Sequence, residues 1–213
     1  MKRANAAIYF HPEGYSTSGA RLMGRQAAGE GFLRAFFQHA EVDRFYCLAP
    51  NDDAALAFTQ LRDACGRGAT AVRAIGPDRL QDLAEPGLLY YPAPGIAEHA
   101  WRRRRVGMET YSLCGVTHTI SSHSAMDSLA ELLHAPLDTH DAVICTSRVV
   151  VQAAERLLAA EGEYLKQRLG ATRLVHPQLP LIPLGADCEA LAPNPEARRA
   201  WRGRAAIGGT EGA

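Results

Sequence analysis

The chain lacks an excess of either charge. Lys plus Arg is 23 and Asp plus Glu is 23, so no global field draws it to nucleic acid or anionic lipid. No run approaches the roughly 20 apolar residues of a membrane span. The opening MKRANAAIYFHPEG has basic residues, but its apolar run is too short for a signal-peptide core. The five cysteines, Cys47, Cys65, Cys114, Cys145 and Cys188, form no CxxC pair, and their number is odd. That argues against a disulfide framework and for a reducing, cytoplasmic setting. Cys47, Cys114 and Cys145 lie in apolar strand-like runs, where a free cysteine packs as a small hydrophobe. The eight histidines make no HExxH and no His-rich tract. His118 and His123 are five apart, and no carboxylate or thiol completes a set, so no metal is expected. Internal repeats and low-complexity tracts are absent as well.

What is present is a regular alternation of elements over 213 residues with 47% apolar content, enough for one domain with an ordinary core. Short apolar runs predict strands at Ala6–His11, Phe45–Leu48, Thr70–Ile75, Leu88–Tyr91, Gly115–Ser121 and Ala142–Thr146, with a last extended segment at Leu179–Leu184. Between them, spacings of three to four predict helices over Gly19–His39, Asp52–Cys65, Ala97–Val106, Ser124–His134 and Arg148–Leu169, with a short helix at Leu80–Leu83. Thr17 or Ser18 is the expected cap of the first helix. Gly24, Gly29 and Gly31 weaken that helix but let it lie close to the sheet. Strands such as AVICT are apolar on both faces. The fold expected is therefore α/β: a Rossmann-like, doubly wound parallel sheet of about six to seven strands with helices on both faces. The block WRRRR at 101–105 is expected to be a solvated helix face. After Gly185 the character changes, with Pro193, Pro195, a basic cluster around Arg198 and a Gly-rich end.

Open α/β sheets bind ligands outside the carboxyl ends of their strands. Two strand ends carry polar residues there. YSLCGVTHTISS ends one strand on Thr117 and His118, and DAVICTS ends another on Thr146 and Ser147. Ser147 is also a natural helix N-cap. The first loop, HPEGYSTSGARLMGR, joins a strand to a helix and carries Gly14 and Gly19, which makes an anion site. It matches neither GxGxxG nor GxxxxGK[ST], which disfavours a dinucleotide fingerprint and a Walker loop.

Four segments, in order, resemble the N-terminal half of a family 4, GT-B-fold glycosyltransferase. GYSTSGARLMGRQAAGEGFLRAF resembles its first loop and helix. GVTHTISSHSAMDSL resembles its central strand, histidine and helix. DAVICTSRVVVQAAERLL resembles its strand ending in a small-hydroxyl motif. LPLIPLGADCEALAP is similar to its I-P-x-G-V-D segment, with Ala186 where valine is usual. The resemblance covers nearly the whole chain. It implies retaining transfer of a sugar from a nucleotide-sugar donor to an acceptor hydroxyl, with no metal or other cofactor. It also implies that residues 1–188 form the acceptor-side domain. Residues 189–213 are then a linker or the truncated start of a donor-binding domain. By the same resemblance, Ser18 and Gly19 approach the donor diphosphate and His118 is the catalytic histidine beside the transferred sugar. Thr146, Ser147 and Arg148 contact donor or acceptor. The family's second Rossmann-like domain carries a Glu-x7-Glu motif and a basic pair, and the chain stops at Ala213 without them. The expectation is an acceptor half with little or no activity alone, completed by a C-terminal domain or a partner chain.

Other readings compete. A GT-B nucleotide-sugar epimerase or phosphorylase shares this architecture; the phosphorylase branch is poor, because it needs a cofactor lysine and Lys2 and Lys166 are the only lysines. A free-standing sugar- or nucleotide-binding module, or a split-enzyme subunit, would be favoured by an exposed apolar patch on the carboxyl edge of the sheet. A nicotinamide enzyme is disfavoured by the missing GxGxxG.

Overall fold

Six of the apolar runs become strands, each parallel to its neighbours. The computed structural model describes residues 4–15, 24–185, 188 and 192–204. The strands are β1 (Ala7–Tyr9), β2 (Arg44–Leu48), β3 (Ala71–Ile75), β4 (Leu88–Tyr90), β5 (Ser112–Val116) and β6 (Ala142–Ile144). Their order is β3-β2-β1-β4-β5-β6, the Rossmann-like order with its reversal between β1 and β4. The register sets Ile8 beside both Cys47 and Tyr90, Tyr90 beside Cys114, and Gly115 beside Val143.

The helices are α1 (Gly24–His39), α2 (Asp52–Ala64), α3 (Ala97–Arg103), α4 (His123–Ala130), α5 (Arg148–Leu169) and α6 (Pro195–Arg204). Single 3-10 turns stand at Pro12–Gly14, Leu80–Ala84 and Glu131–Leu133. Starts and stops follow capping chemistry. Asn51, Ser122 and Ser147 accept from the backbone N–H three residues on, and Gly170 ends α5 in the left-handed region at φ 67°.

The helices cover both faces. On one, α1 and α2 bury Leu33, Phe37, Ala54 and Phe58 against Ile8, Phe10, Phe45 and Cys47. All six phenylalanines of the chain belong to this side. Phe37 meets Phe45 edge-on at 5.0 Å and Phe58 at 5.0 Å; such pairs add about 0.5–1.5 kcal/mol each beyond area burial. Gly29 is what lets α1 close down: a Cβ there would run into the Gly14 carbonyl. Gly24 and Gly31 have no such neighbour. On the other face, α3, α4 and α5 bury Ala100, Leu129, Ala154 and Leu158 against Ala7, Leu89, Leu113 and Val143. Among the described residues no helix is long and apolar enough to cross a membrane.

Three expectations are corrected. The fifth strand is Ser112–Val116, not Gly115–Ser121. Its pairing partner β4 spans Leu88–Tyr90, with Leu88 beside Ser112, and the Thr119 hydroxyl bonds the Ser121 N–H and Oγ to make a turn where strand was expected. The helix expected to reach Val106 stops at Arg103, and a turn follows with Gly107 at φ 113°. The basic block is not a uniformly solvated face, because Arg103 is fully buried.

The segment expected at Leu179–Leu184 runs parallel beside β6, held by two bridges, Ala142 to Gln178 and Cys145 to Leu181. Gln178 and Ile182 donate to the Asp141 and Cys145 carbonyls, while Val143 and Cys145 donate to Gln178 and Pro180. Between them Pro180 has no N–H for the Val143 carbonyl, so the ladder lacks one rung and the strand breaks into bridges. Leu181, Ile182 and Leu184 stay exposed. The basic tail forms α6, capped by Asn194, whose side chain accepts from the N–H groups of Glu196 and Ala197.

Candidate functional site

The strand order reverses between β1 and β4, whose connections leave in opposite directions, and open α/β sheets bind ligands in the crevice at the carboxyl edge of such a switch point. Four strand ends supply its side chains. Tyr9 ends β1, Tyr91 follows β4, Thr117 and His118 follow β5, and Thr146 and Ser147 follow β6.

Thr117 is buried and fully used. Its hydroxyl donates to the Ile144 carbonyl at 3.1 Å and accepts from the Thr146 N–H at 3.4 Å, which ties the ends of β5 and β6 together. The loop after β4, YPAPGI, packs on the end of β5. The Val116 N–H donates to the Ala93 carbonyl at 3.2 Å. Gly115 makes this possible, since a Cβ there would lie 2.8 Å from the Ala93 carbonyl and 2.9 Å from Ile96 Cγ2.

His118 lies two residues beyond β5. Both ring nitrogens are buried and neither meets a hydrogen-bond partner. Burial depresses its pKa below the ordinary 6.5, the Pro92 carbonyl nearby opposes this, and the Arg25 charge adds a smaller depression. At neutral pH the ring is therefore neutral, with one N–H donor and one acceptor nitrogen. A buried polar group left unpaired costs about 1–3 kcal/mol, so the ring retains unused hydrogen-bonding capacity at this edge.

On the α3 side of the same sheet edge stands an aromatic group. His99, in the first turn of α3, packs against Tyr9 at 5.1 Å and Tyr91 at 4.6 Å between centroids. Burial and the Arg102 charge lower the His99 pKa to about 4. Burial, then Tyr9 and Glu98, raise the Tyr91 pKa, and Arg25 opposes them.

The residues expected from sequence fall out as follows. His118, Thr146 and Ser147 share the carboxyl edge. The Thr146 hydroxyl makes no hydrogen bond among the described residues, whereas Ser147 Oγ is engaged as the α5 cap, accepting from the Val150 N–H at 3.3 Å. Arg148 is exposed in the first turn of α5. Ser18 and Gly19, like Thr17, lie outside the described residues. His123 is an exposed partner of Asp127 at 3.1 Å, apart from His118's setting. Among the described residues no group of three or more His, Cys, Asp or Glu could hold a metal.

Sequence reasoning missed Tyr91, His99 and Arg25. Tyr91 was reachable, because it follows β4 just as His118 follows β5. Arg25 also left a trace: it precedes Phe32 by two helical turns on one face of α1.

The rest of the polar interior lies elsewhere. Arg103 and Asp141 are both fully buried, at 2.6 and 2.8 Å in a bidentate pair. Arg103 also donates to the carbonyls of Tyr111 and Pro136, and Asp141 accepts from the N–H groups of Leu113 and Asp138. These residues stand at the amino ends of β5 and β6, so this is a structural lock on the far edge. A cleft of about 450 Å³ along the second half of α5 has Leu158, Gly162 and Leu174 as floor and Glu155, Lys166 and His176 on its rim.

No protein-family model, curated protein or solved structure matches the chain.

Proposed function

We propose that the chain is the acceptor-side half of a glycosyltransferase that moves a sugar, with retention, from a nucleotide sugar to an acceptor hydroxyl. The observation that supports it best is His118, a neutral imidazole with two buried, unpartnered nitrogens at the carboxyl edge. Such a ring can donate to one sugar oxygen and accept from a hydroxyl, which orients a sugar without placing charge beside it. In this proposal Ser18 and Gly19 supply contacts to the leaving diphosphate, as the resemblance implies. Thr146, with its hydroxyl unengaged, and exposed Arg148 reach the substrates from the end of β6.

The test is ligand-detected NMR on the full chain with nucleotide sugars, nucleoside diphosphates and NADH. Weak binding of a nucleotide sugar that is lost in His118→Ala, without turnover, is the expected result. Binding of NADH alone would overturn the assignment. Sugar transfer by the chain alone would overturn its half-enzyme character.

A second reading has its own support. Leu181, Ile182 and Leu184 are exposed toward the carboxyl edge, an apolar patch of the kind that meets a partner. A free-standing binding module or split-enzyme subunit fits that patch. Submicromolar binding of a nucleotide sugar by the unaided chain would favour the module.

A further inference from the structure

Arg25 is a charge in search of a purpose. It is exposed, it has no ion-pair partner among the described residues, and it is the second residue of α1. Its position follows from one ring contact. Phe32 stacks on Tyr90 with centroids 4.3 Å apart, which fixes α1 over the end of β4. Arg25 lies seven residues earlier on the same helical face, about 10.5 Å nearer the carboxyl edge. At about 3.3 Å per strand residue that is about three residues beyond Tyr90. Because Tyr90 pairs with Cys114, the matching level on the neighbouring strand is Thr117 and His118.

The face also agrees. Cys114 and Val116, the residues of β5 that lead to His118, pack on the α1 side. Arg25 therefore stands at the level of the unpartnered His118 ring, close enough for its charge to act on it. The same guanidinium acts through space on both His118 and Tyr91. The other charges near this crevice are Glu98, felt by Tyr91, Arg102, felt by His99, and exposed Arg148 at the start of α5. None of them pairs with Arg25.

We propose that Arg25 and His118 together form a subsite for a phosphate-bearing ligand, with the phosphate at the Arg25 guanidinium and a ligand hydroxyl on the His118 ring. A guanidinium suits phosphate because its fork of N–H donors matches the oxygens. A neutral imidazole suits a hydroxyl because it can both donate and accept. This subsite rests on the carboxyl-edge crevice being the ligand site and adds a specific anion contact to it. Two sources share the chemistry: the diphosphate of a nucleotide sugar and a phosphate on the acceptor.

The test follows the His118 ring protons by NMR in the full chain while pyrophosphate, UDP-glucose and glucose 6-phosphate are added separately. A phosphate at Arg25 offsets the charge that depresses the His118 pKa, so binding raises that pKa. Arg25→Gln raises it without ligand and weakens phosphate binding at least about tenfold, the loss expected for one charge-assisted contact. Arg25→Lys retains part of the affinity. Because Arg25 is exposed, these variants keep the fold. Arg25-dependent binding of UDP-glucose but not glucose 6-phosphate assigns the phosphate to the donor, and the reverse pattern assigns it to the acceptor. Pyrophosphate binding through Arg25 without any nucleotide-sugar binding keeps the subsite and removes the glycosyltransferase reading. The subsite is overturned if all three probes leave His118 unmoved at millimolar concentration, or bind Arg25→Gln as well as the parent.

Discussion

His99 shows what burial does to a single titrating ring. It is wedged between Tyr9 and Tyr91, and its pKa is lowered to about 4 from an ordinary 6.5. Above pH 6.5 the ring is neutral folded and unfolded, so it has no effect on the balance. As pH falls from 6.5 toward 4, the unfolded chain takes up a proton that the folded chain refuses. Stability then declines, by about 3 kcal/mol once both pKa values are passed. His99→Phe keeps a ring in the slot and removes the proton. Urea midpoints at pH 7 and pH 4.5 should fall less in His99→Phe than in the parent, and equal falls would show that His99 does not set the acid limit. Sequence could offer His118 because it follows a strand end among hydroxyl residues. It could not offer His99, whose meaning depends on two tyrosines from different strands closing around it. Arg103 is the sharper case. In a run of four arginines it looks solvated, and only Asp141, 38 residues away, reveals why it is buried.

Pieces of secondary structure are positioned here by small omissions of atoms. Gly115 lacks the methyl that would strike the Ala93 carbonyl and Ile96. Gly115→Ala should force the loop after β4 outward and destabilise the fold by about 1–3 kcal/mol, as overpacking does. The His118 resonance should move with it, since the Pro92 carbonyl belongs to that loop. A variant as stable as the parent, with His118 unshifted, would mean the loop yields freely. Pro180 lacks an N–H, and the edge segment loses one rung to β6. In Pro180→Ala the new amide should bond the Val143 carbonyl and exchange with solvent as slowly as that of Ile182. Fast exchange there would show that the segment is held off by something besides the proline. The strands themselves were largely visible as apolar runs, because a parallel sheet buried on both faces leaves no polar alternation to confuse them. The end of β5 was not visible. Nothing in VTHTISS marks where pairing stops, because the length of β4 next door decides it.

Across the whole molecule, the two ends of the sheet have different occupations. The carboxyl edge gathers Tyr91, His99, His118, Thr146 and Arg25. The amino edge holds the Arg103–Asp141 pair, with Asp141 also bonding Leu113 and Asp138. Asp141→Asn keeps the shape but leaves a buried guanidinium uncompensated, and should cost about 3–5 kcal/mol in chemical denaturation. A loss below about 1 kcal/mol would mean that water reaches Arg103 and screens it. The separation of the two edges bears on how the protein tolerates change. Substitutions at the lock deplete folded molecules without altering what each survivor binds. If the proposed subsite is correct, substitutions at Arg25 or Thr146 should instead alter binding in molecules that remain fully folded. A library of variants scored once for abundance and once for ligand capture should therefore split into two nearly separate sets of positions. The crevice could then diversify toward new ligands while the lock keeps the scaffold intact.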